Sequence, residues 1–531
     1  MSCHAPAPPA SRRNFFMRSG TPLLAWTAMT VLPACGGGDG ETTTPQASPL
    51  SDETALNLGA AEALEALSSG RLGAERYISL LLARAESLRD LNALIALNRD
   101  AALSAARALD AQRAAGAKLP PLAGLPLVVK DNIDSRELPT TGGTPALRTL
   151  QPTANAPSLQ KLLDAGAILL GKANLHELAF GITSSNLSAF AGPVRNPYDR
   201  SRIAGGSSGG TAAALAARIA PAGLGTDTGG SVRIPAALCG VAGLRPSVGN
   251  GGVQRRYHDP LAVVPISHTR DTVGPMARSV ADLALLDAVI TGRDRPRPVG
   301  LRGLRLGVPP SFWAGLEAQL ASVARAARDK LAAAGVVLVE VEPDGLRELN
   351  DKISFQIALH EPIADIPAYL AAHARADLRL SQLAADIASP DVRGAFSAIL
   401  ADAFGADYPA AIGVHRPRLQ ALYASYFADN ALDAMLFPTT VLTAAAIDAR
   451  NGSSTVSIDG GSPQDEFGTY IRNTDPGSNA GIPGLSLPAG LSAAGLPVGL
   501  ELDGPLGSDE RLLGIGLSIE QLLGSPRAPS L

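Results

Sequence analysis

The chain has 531 residues, 46% hydrophobic and 18% charged, which describes a globular protein and excludes a disordered one. A formal net charge of -4 and an aromatic content of 4% supply neither the field nor the stacking surface that nucleic-acid binding uses. The three cysteines (Cys3, Cys35 and Cys239) form no C-x-x-C pair and the seven histidines no H-E-x-x-H run, so nothing announces a metal site or a redox motif.

The chain opens on "SRRNFFMRSGTPLLAWTAMTVLPAC". Arg12 and Arg13 precede a mostly apolar stretch from Pro22 to Ala34, shorter than the roughly 20 residues of a membrane-spanning helix. Residues 1–34 therefore read as an export signal, and the arginine pair points to the twin-arginine route. The ending "LPAC" resembles a lipoprotein signal with Cys35 as the lipidated residue; cleavage after Ala34 is the alternative. Either way the expected location is periplasmic, or tethered to the cell envelope through one lipidated terminus. Residues 35–54 are small and polar and read as a flexible linker.

From Ala55 the pattern turns helical, with Ile78, Leu81, Leu82, Ala85 and Leu88 at helical spacing and an Ala-rich helix over about Asp100 to Arg113. "GLPLVVKDN" is a buried strand, Leu125 to Val129, closed by Lys130. "SLQKLLDAGAILLGKAN" and "GGTAAALAARIAPAGLGTD" each read as helix then strand. This alternation predicts an α/β sheet covered by helices. Beyond residue 300 come the strand "GLRLGVP", the amphipathic helix in "LEAQLASVARAARDKLAAAG", and a largely helical insertion over about 350–430. The strand "DAMLFPTT" and a hairpin-like pair in "GIPGLSLPAG…LPVGLELDGP" return to the sheet, so 55–531 is one domain.

Three segments carry chemistry: "VVKDN" at 128–132, "GGSSGG" at 205–210 and "GTDTGGSVRIPAALCG" at 225–240. Two glycines before Ser231 allow a tight turn that aims the N–H groups of Thr228, Gly229, Gly230 and Ser231 into one hollow, as an oxyanion needs. A plain glycine turn is the alternative. Ser208 fits G-x-S-x-G, but a nucleophile elbow needs a strand before it and a histidine base. The preceding "VRNPYDRS" reads as loop, and the downstream histidines (258, 268, 360, 373, 415) do not fall near the end of the sheet pattern. Lys130 is the other candidate base. An ordinary lysine has a pKa of about 10.4, and burial beside hydroxyls lowers it, so a neutral amine becomes available. A lysine snorkelling from the strand end is the bland alternative.

Taken together, these segments resemble the amidase signature family, as do "GLPLVVKDNID", "GAILLGKANLHELAFG", "RNPYD" and "DTVGPMARSVADLALL". The resemblance implies Ser231 as nucleophile, Ser207 as a bridging serine after a cis peptide, and Lys130 as base. It implies a single large α/β domain, with a mixed central sheet covered by helices on both faces. It also implies an acyl-enzyme route without metal or organic cofactor, acting on a small amide in a monomer or homodimer. Asp227 and Arg233 flank Ser231 and are expected to pair and pin its turn; Ser208 is a supporting hydrogen-bonding residue. Cys239 reads as a packing residue, and His176 and Glu177 as scaffold. The pattern is similar to the branch holding mandelamide and indoleacetamide hydrolases, which implies an aryl-substituted primary amide; peptide amides, anilides, esters and carbamates are the alternatives. Residues 249–261 read as an enlarged loop beside the site, and Phe355, His360, Tyr369 and Tyr408 as candidate wall residues.

Overall fold

The apolar runs read as strands assemble into one central sheet of eleven strands. The structure, a computed structural model, describes residues 48–531. The expected export signal, Cys35 and the linker up to residue 47 lie outside the described residues. The rest of the linker is not wholly irregular: a helix, Asp52–Asn57, begins inside it. Ser51 caps it by accepting the Thr54 N–H at 3.1 Å, and Asp52 and Glu53 sit in its first turn, where acidic groups suit the helix dipole. The folded domain thus starts near residue 51 and not at 55.

In chain order the sheet strands are β1 (Leu94–Leu97), β2 (Pro126–Lys130), β3 (Ile168–Ala173), β4 (Ala222–Asp227), β5 (Ala242–Arg245) and β6 (Thr272–Ala277). They continue as β7 (Arg305–Gly307), β8 (Val337–Val339), β9 (Ala434–Pro438), β10 (Gly484–Leu491) and β11 (Pro497–Asp503). Their spatial order is β1-β3-β2-β4-β6-β5-β10-β11-β9-β7-β8. The sheet is mixed: β3, β2 and β4 run parallel, as do β9, β7 and β8, while β4 to β6 and β10 to β11 pair antiparallel. Every residue of β2, β4, β6 and β9 is buried, on both alternations, so helices cover both faces as expected. Between Leu346 and Asp429 the chain is largely helical, matching the expected insertion.

Two features place the site. First, β2 and β4 are parallel neighbours with Val129 opposite Leu224, so Lys130 and the Thr226–Asp227 pair emerge at the same end of the sheet. Second, the helix Gly209–Ala216 lies very close on β4. A Cβ added at Gly223 would come 2.8 Å from Thr211 Cγ2, and one at Gly225 would come 2.7 Å from Ser208 Oγ. Glycines on the strand and alanines on the helix permit that approach, which brings "GGSSGG" onto the end of β4.

The segment read as loop before Ser208 is a small ribbon, with Arg195–Asn196 paired to Asp199–Ile203. Its turn is made by Asn196 Oδ1 accepting the Tyr198 N–H at 3.0 Å, a local bond that leaves no apolar alternation to read. The ribbon stands apart from the central sheet, so Ser208 does not follow a sheet strand.

Candidate active site

Lys130 is fully buried at the end of β2. Its Nζ lies 2.7 Å from Ser207 Oγ and 2.7 Å from Thr226 Oγ1, and Asn132 Nδ2 donates to the same threonine hydroxyl at 3.0 Å. Burial pushes the Lys130 amine down to about 7, against a partial pull upward from the charges of Asp227 and Asp271. A second buried lysine makes the contrast. Lys172, on the neighbouring β3, sits 3.3 Å from Asp131 Oδ1 and donates to Ile133 O at 2.7 Å and Thr140 Oγ1 at 2.9 Å. Lys172 has a counterion, whereas among the described residues no carboxylate lies within 4.0 Å of Lys130. Thr226 and Asn132 were not visible as site residues in the sequence. Their only signal is that they fall within the segments 128–132 and 225–240, and their meeting depends on strand register.

Ser207 follows a cis peptide bond from Gly206, as the resemblance implies. Its carbonyl accepts the His176 N–H at 3.2 Å and the Ser184 hydroxyl at 3.3 Å. Ser208 stands at the N-cap position of the next helix without a side-chain cap bond and joins the two glycine turns. Its N–H donates to Ser231 O at 3.1 Å, and its Oγ donates to Thr226 O at 3.2 Å. That is the supporting position expected of it.

The turn before Ser231 is organised by Asp227. This carboxylate accepts the N–H groups of Gly230 (3.0 Å) and Val232 (3.1 Å), two bonds from Arg233 (3.1 and 3.0 Å) and one from Arg245 (3.0 Å). Burial alone would raise the Asp227 pKa, but the two guanidiniums outweigh it and hold the group well below the usual carboxylate range. The expected Asp227–Arg233 pair is therefore present and reinforced. The oxyanion set needs one correction: the Gly230 N–H is occupied by Asp227 and is not free for an oxyanion. Gly230 instead supplies backbone freedom, with φ +139°, where a Cβ would also strike Thr474. Among the described residues, the N–H groups of Thr228, Gly229 and Ser231 have no acceptor in the protein. Asp227→Asn is expected to cost about 3–5 kcal/mol of stability in a denaturant melt, because it leaves two buried arginines short of charge.

These groups open on a cavity of about 470 Å³ whose floor includes Thr228, Gly229 and Ser231. Its walls are mostly apolar, with Phe180, Ile266, Phe355, Phe404 and Phe467. Of the four candidate wall residues only Phe355 reaches it, its ring 6.4 Å from Phe404 and 6.0 Å from Phe467. Tyr369 is buried and donates to Asp134 at 2.7 Å. His360 and Tyr408 stack on each other at 4.2 Å, outside the cavity. The loop 249–261 does not line this cavity either. Part of it, with Arg255 and His258, borders a separate hollow of about 340 Å³ whose lining includes Asp271, which accepts from Thr228 Oγ1 at 2.6 Å. Cys239 is buried and donates to Ala204 O at 3.2 Å, and burial pushes its thiol well up. Glu177 accepts from Ser389 N at 2.8 Å and Thr144 Oγ1 at 2.9 Å, tying the helical insertion to the core.

The amidase family pattern matches residues 76–513. The chain belongs to the amidase family. It is a hydrolase acting on amides. An indoleacetamide hydrolase of Agrobacterium vitis is 42% identical to this amidase over 475 residues, covering 89% of the chain and 98% of the relative. A mandelamide hydrolase of Pseudomonas putida is 40% identical over 476 residues, covering 87% and 90%. The solved structure of a peptide amidase from Stenotrophomonas maltophilia matches this amidase with a TM-score of 0.74 at 31% identity, over 89% of the chain and 98% of the neighbour.

Proposed function

We propose that this amidase cleaves a small, aryl-substituted primary amide to carboxylate and ammonia through an acyl-enzyme on Ser231. The observation that carries the reading is Lys130: a buried amine brought down to about 7, without a counterion among the described residues, against the hydroxyl of Ser207. A neutral Lys130 takes the Ser207 proton while Ser207 takes that of Ser231. Ser231 Oγ bonds to the carbonyl carbon, and the oxyanion receives the free N–H groups of Thr228, Gly229 and Ser231. The C–N bond then breaks as the proton returns through Ser207 to the leaving nitrogen, which departs as ammonia. Water attacks the ester by the same relay and releases the acid. The aromatic cavity and the arylacetamide-cleaving relatives support the aryl substrate class. On the sequence pattern of residues 1–35, the chemistry takes place outside the cytoplasm.

A panel of indole-3-acetamide, mandelamide, a peptide amide, an anilide and an aryl ester tests the substrate class. The expected result is the highest kcat/KM on an arylacetamide, with one ammonia per acid released. A tenfold or greater preference for the peptide amide or the anilide would replace this substrate class by the alternative one.

A further inference from the structure

We infer that Asp391 selects the substrate's acyl group, by accepting a hydrogen bond from an N–H donor carried on its aryl portion. The inference rests on the aryl-amide reading above and adds a specificity determinant to it.

The cavity wall is apolar except at a few points, and its charged members are Arg270, Asp391 and Asp465. Arg270 is committed to the frame of the site: each of its three nitrogens is bonded, to Thr228 O at 3.2 Å, to Ser354 O at 3.0 Å and to the carboxylate of Asp475. Asp465 is exposed and caps a short helix through Gly468 N at 2.6 Å. Asp391 differs from both. It stands in the first turn of the helix Pro390–Leu400, and its side chain is only 17% exposed. Oδ1 accepts the Val392 N–H at 2.9 Å, and Oδ2 lies 3.0 Å from His176 Nε2.

His176 gives the second, independent sign. It is fully buried, and its Nδ1 accepts the Ser184 N–H at 3.2 Å, which places the ring proton on Nε2. Among the described residues that Nε2 has no hydrogen-bond acceptor, although Asp391 is its near neighbour, so the N–H and the carboxylate are out of line. A carboxylate has about four lone-pair sites. Asp391 therefore keeps acceptor capacity at a mostly apolar wall. Phe180, Phe355 and Ile266 offer an aryl group its apolar surroundings in the same cavity, and Asp391 offers its N–H a partner. The same carboxylate disfavours acyl groups that present only acceptors or an anion.

The test compares indole-3-acetamide with benzofuran-3-acetamide, alike in shape but with ring oxygen in place of N–H. The full-length enzyme is expected to prefer the indole by about tenfold in kcat/KM, the scale of one hydrogen bond to a charged group. Asp391→Asn is expected to lower that ratio several-fold, and Asp391→Ala to bring it near one. A purely structural role would slow both substrates alike and leave the ratio unchanged, which overturns the inference. A wild-type ratio near one with both amides hydrolysed also overturns it and leaves the aryl-amide reading intact. Hydrolysis of neither amide overturns the inference, and loss of mandelamide hydrolysis as well overturns the aryl-amide reading. Should Asp391→Ala fail to fold, the ratio in Asp391→Asn decides.

Discussion

Ser231→Ala is expected to lower kcat for amide hydrolysis by about 10⁴-fold or more and to abolish covalent labelling by a fluorophosphonate, since the nucleophile and its relay act as a unit. The neighbouring serine is the control. Ser208→Ala removes the two bonds of this hydroxyl to Thr226 O and Thr226 N–H but no reacting oxygen, so the protein keeps its label at a stability cost of about 1–3 kcal/mol. Mass spectrometry of the labelled protein locates the adduct. An adduct that survives Ser231→Ala and vanishes in Ser208→Ala would return the nucleophile to the G-x-S-x-G serine and dismantle the Lys130 relay.

The second large effect separates activity from stability. Lys130→Met is expected to lose activity by several orders of magnitude and yet fold more stably, by on the order of 1–3 kcal/mol at pH 7. The native Lys130 pKa is about 7 against an ordinary 10.5. Between those values the unfolded chain binds more protons than the native one, so this group's contribution to stability rises with pH, by about 1.4 kcal/mol per pH unit. Below pH 7 both states are protonated and the full penalty persists. The variant's lead in a urea melt should therefore shrink from pH 7 to pH 9. In the wild type, kcat/KM should climb through about pH 7 as Lys130 becomes neutral, then level off. Undiminished turnover in folded Lys130→Met, or a flat profile from pH 5 to 9, would exclude Lys130 as the base.

Much of the candidate site is written in short-range signals. A lysine closing an apolar run, glycine pairs before Ser231 and around Ser207 and Ser208, and an acid and an arginine flanking the turn can each be read without knowing the fold. Other features resist reading because local and distant bonds look alike in sequence. The ribbon at 195–203 is held by an Asn196 turn with little apolar patterning, and the helix at Asp52 depends on a single serine cap inside a polar stretch. Gly230 reads as an oxyanion donor in the sequence, since nothing in "DTGGS" tells which N–H the aspartate takes.

The sequence by itself determined the α/β class and the helical insertion, because apolar runs and helical spacing are encoded by nearby residues; it offered Lys130 and the glycine turn before Ser231 as candidates, and the roles of Lys130, Ser207 and Ser231 came from the resemblance to the amidase signature family. The tertiary structure alone decided that Lys172 takes the buried carboxylate of Asp131 while Lys130 meets the hydroxyls of Ser207 and Thr226 and the Thr226 carbonyl. It alone decided which of four N–H groups stay free, and that Asp391 of the insertion reaches the cavity wall. Those outcomes follow from parallel register and from contacts across long stretches of chain, where the partner of a charge is set by which strand ends lie side by side.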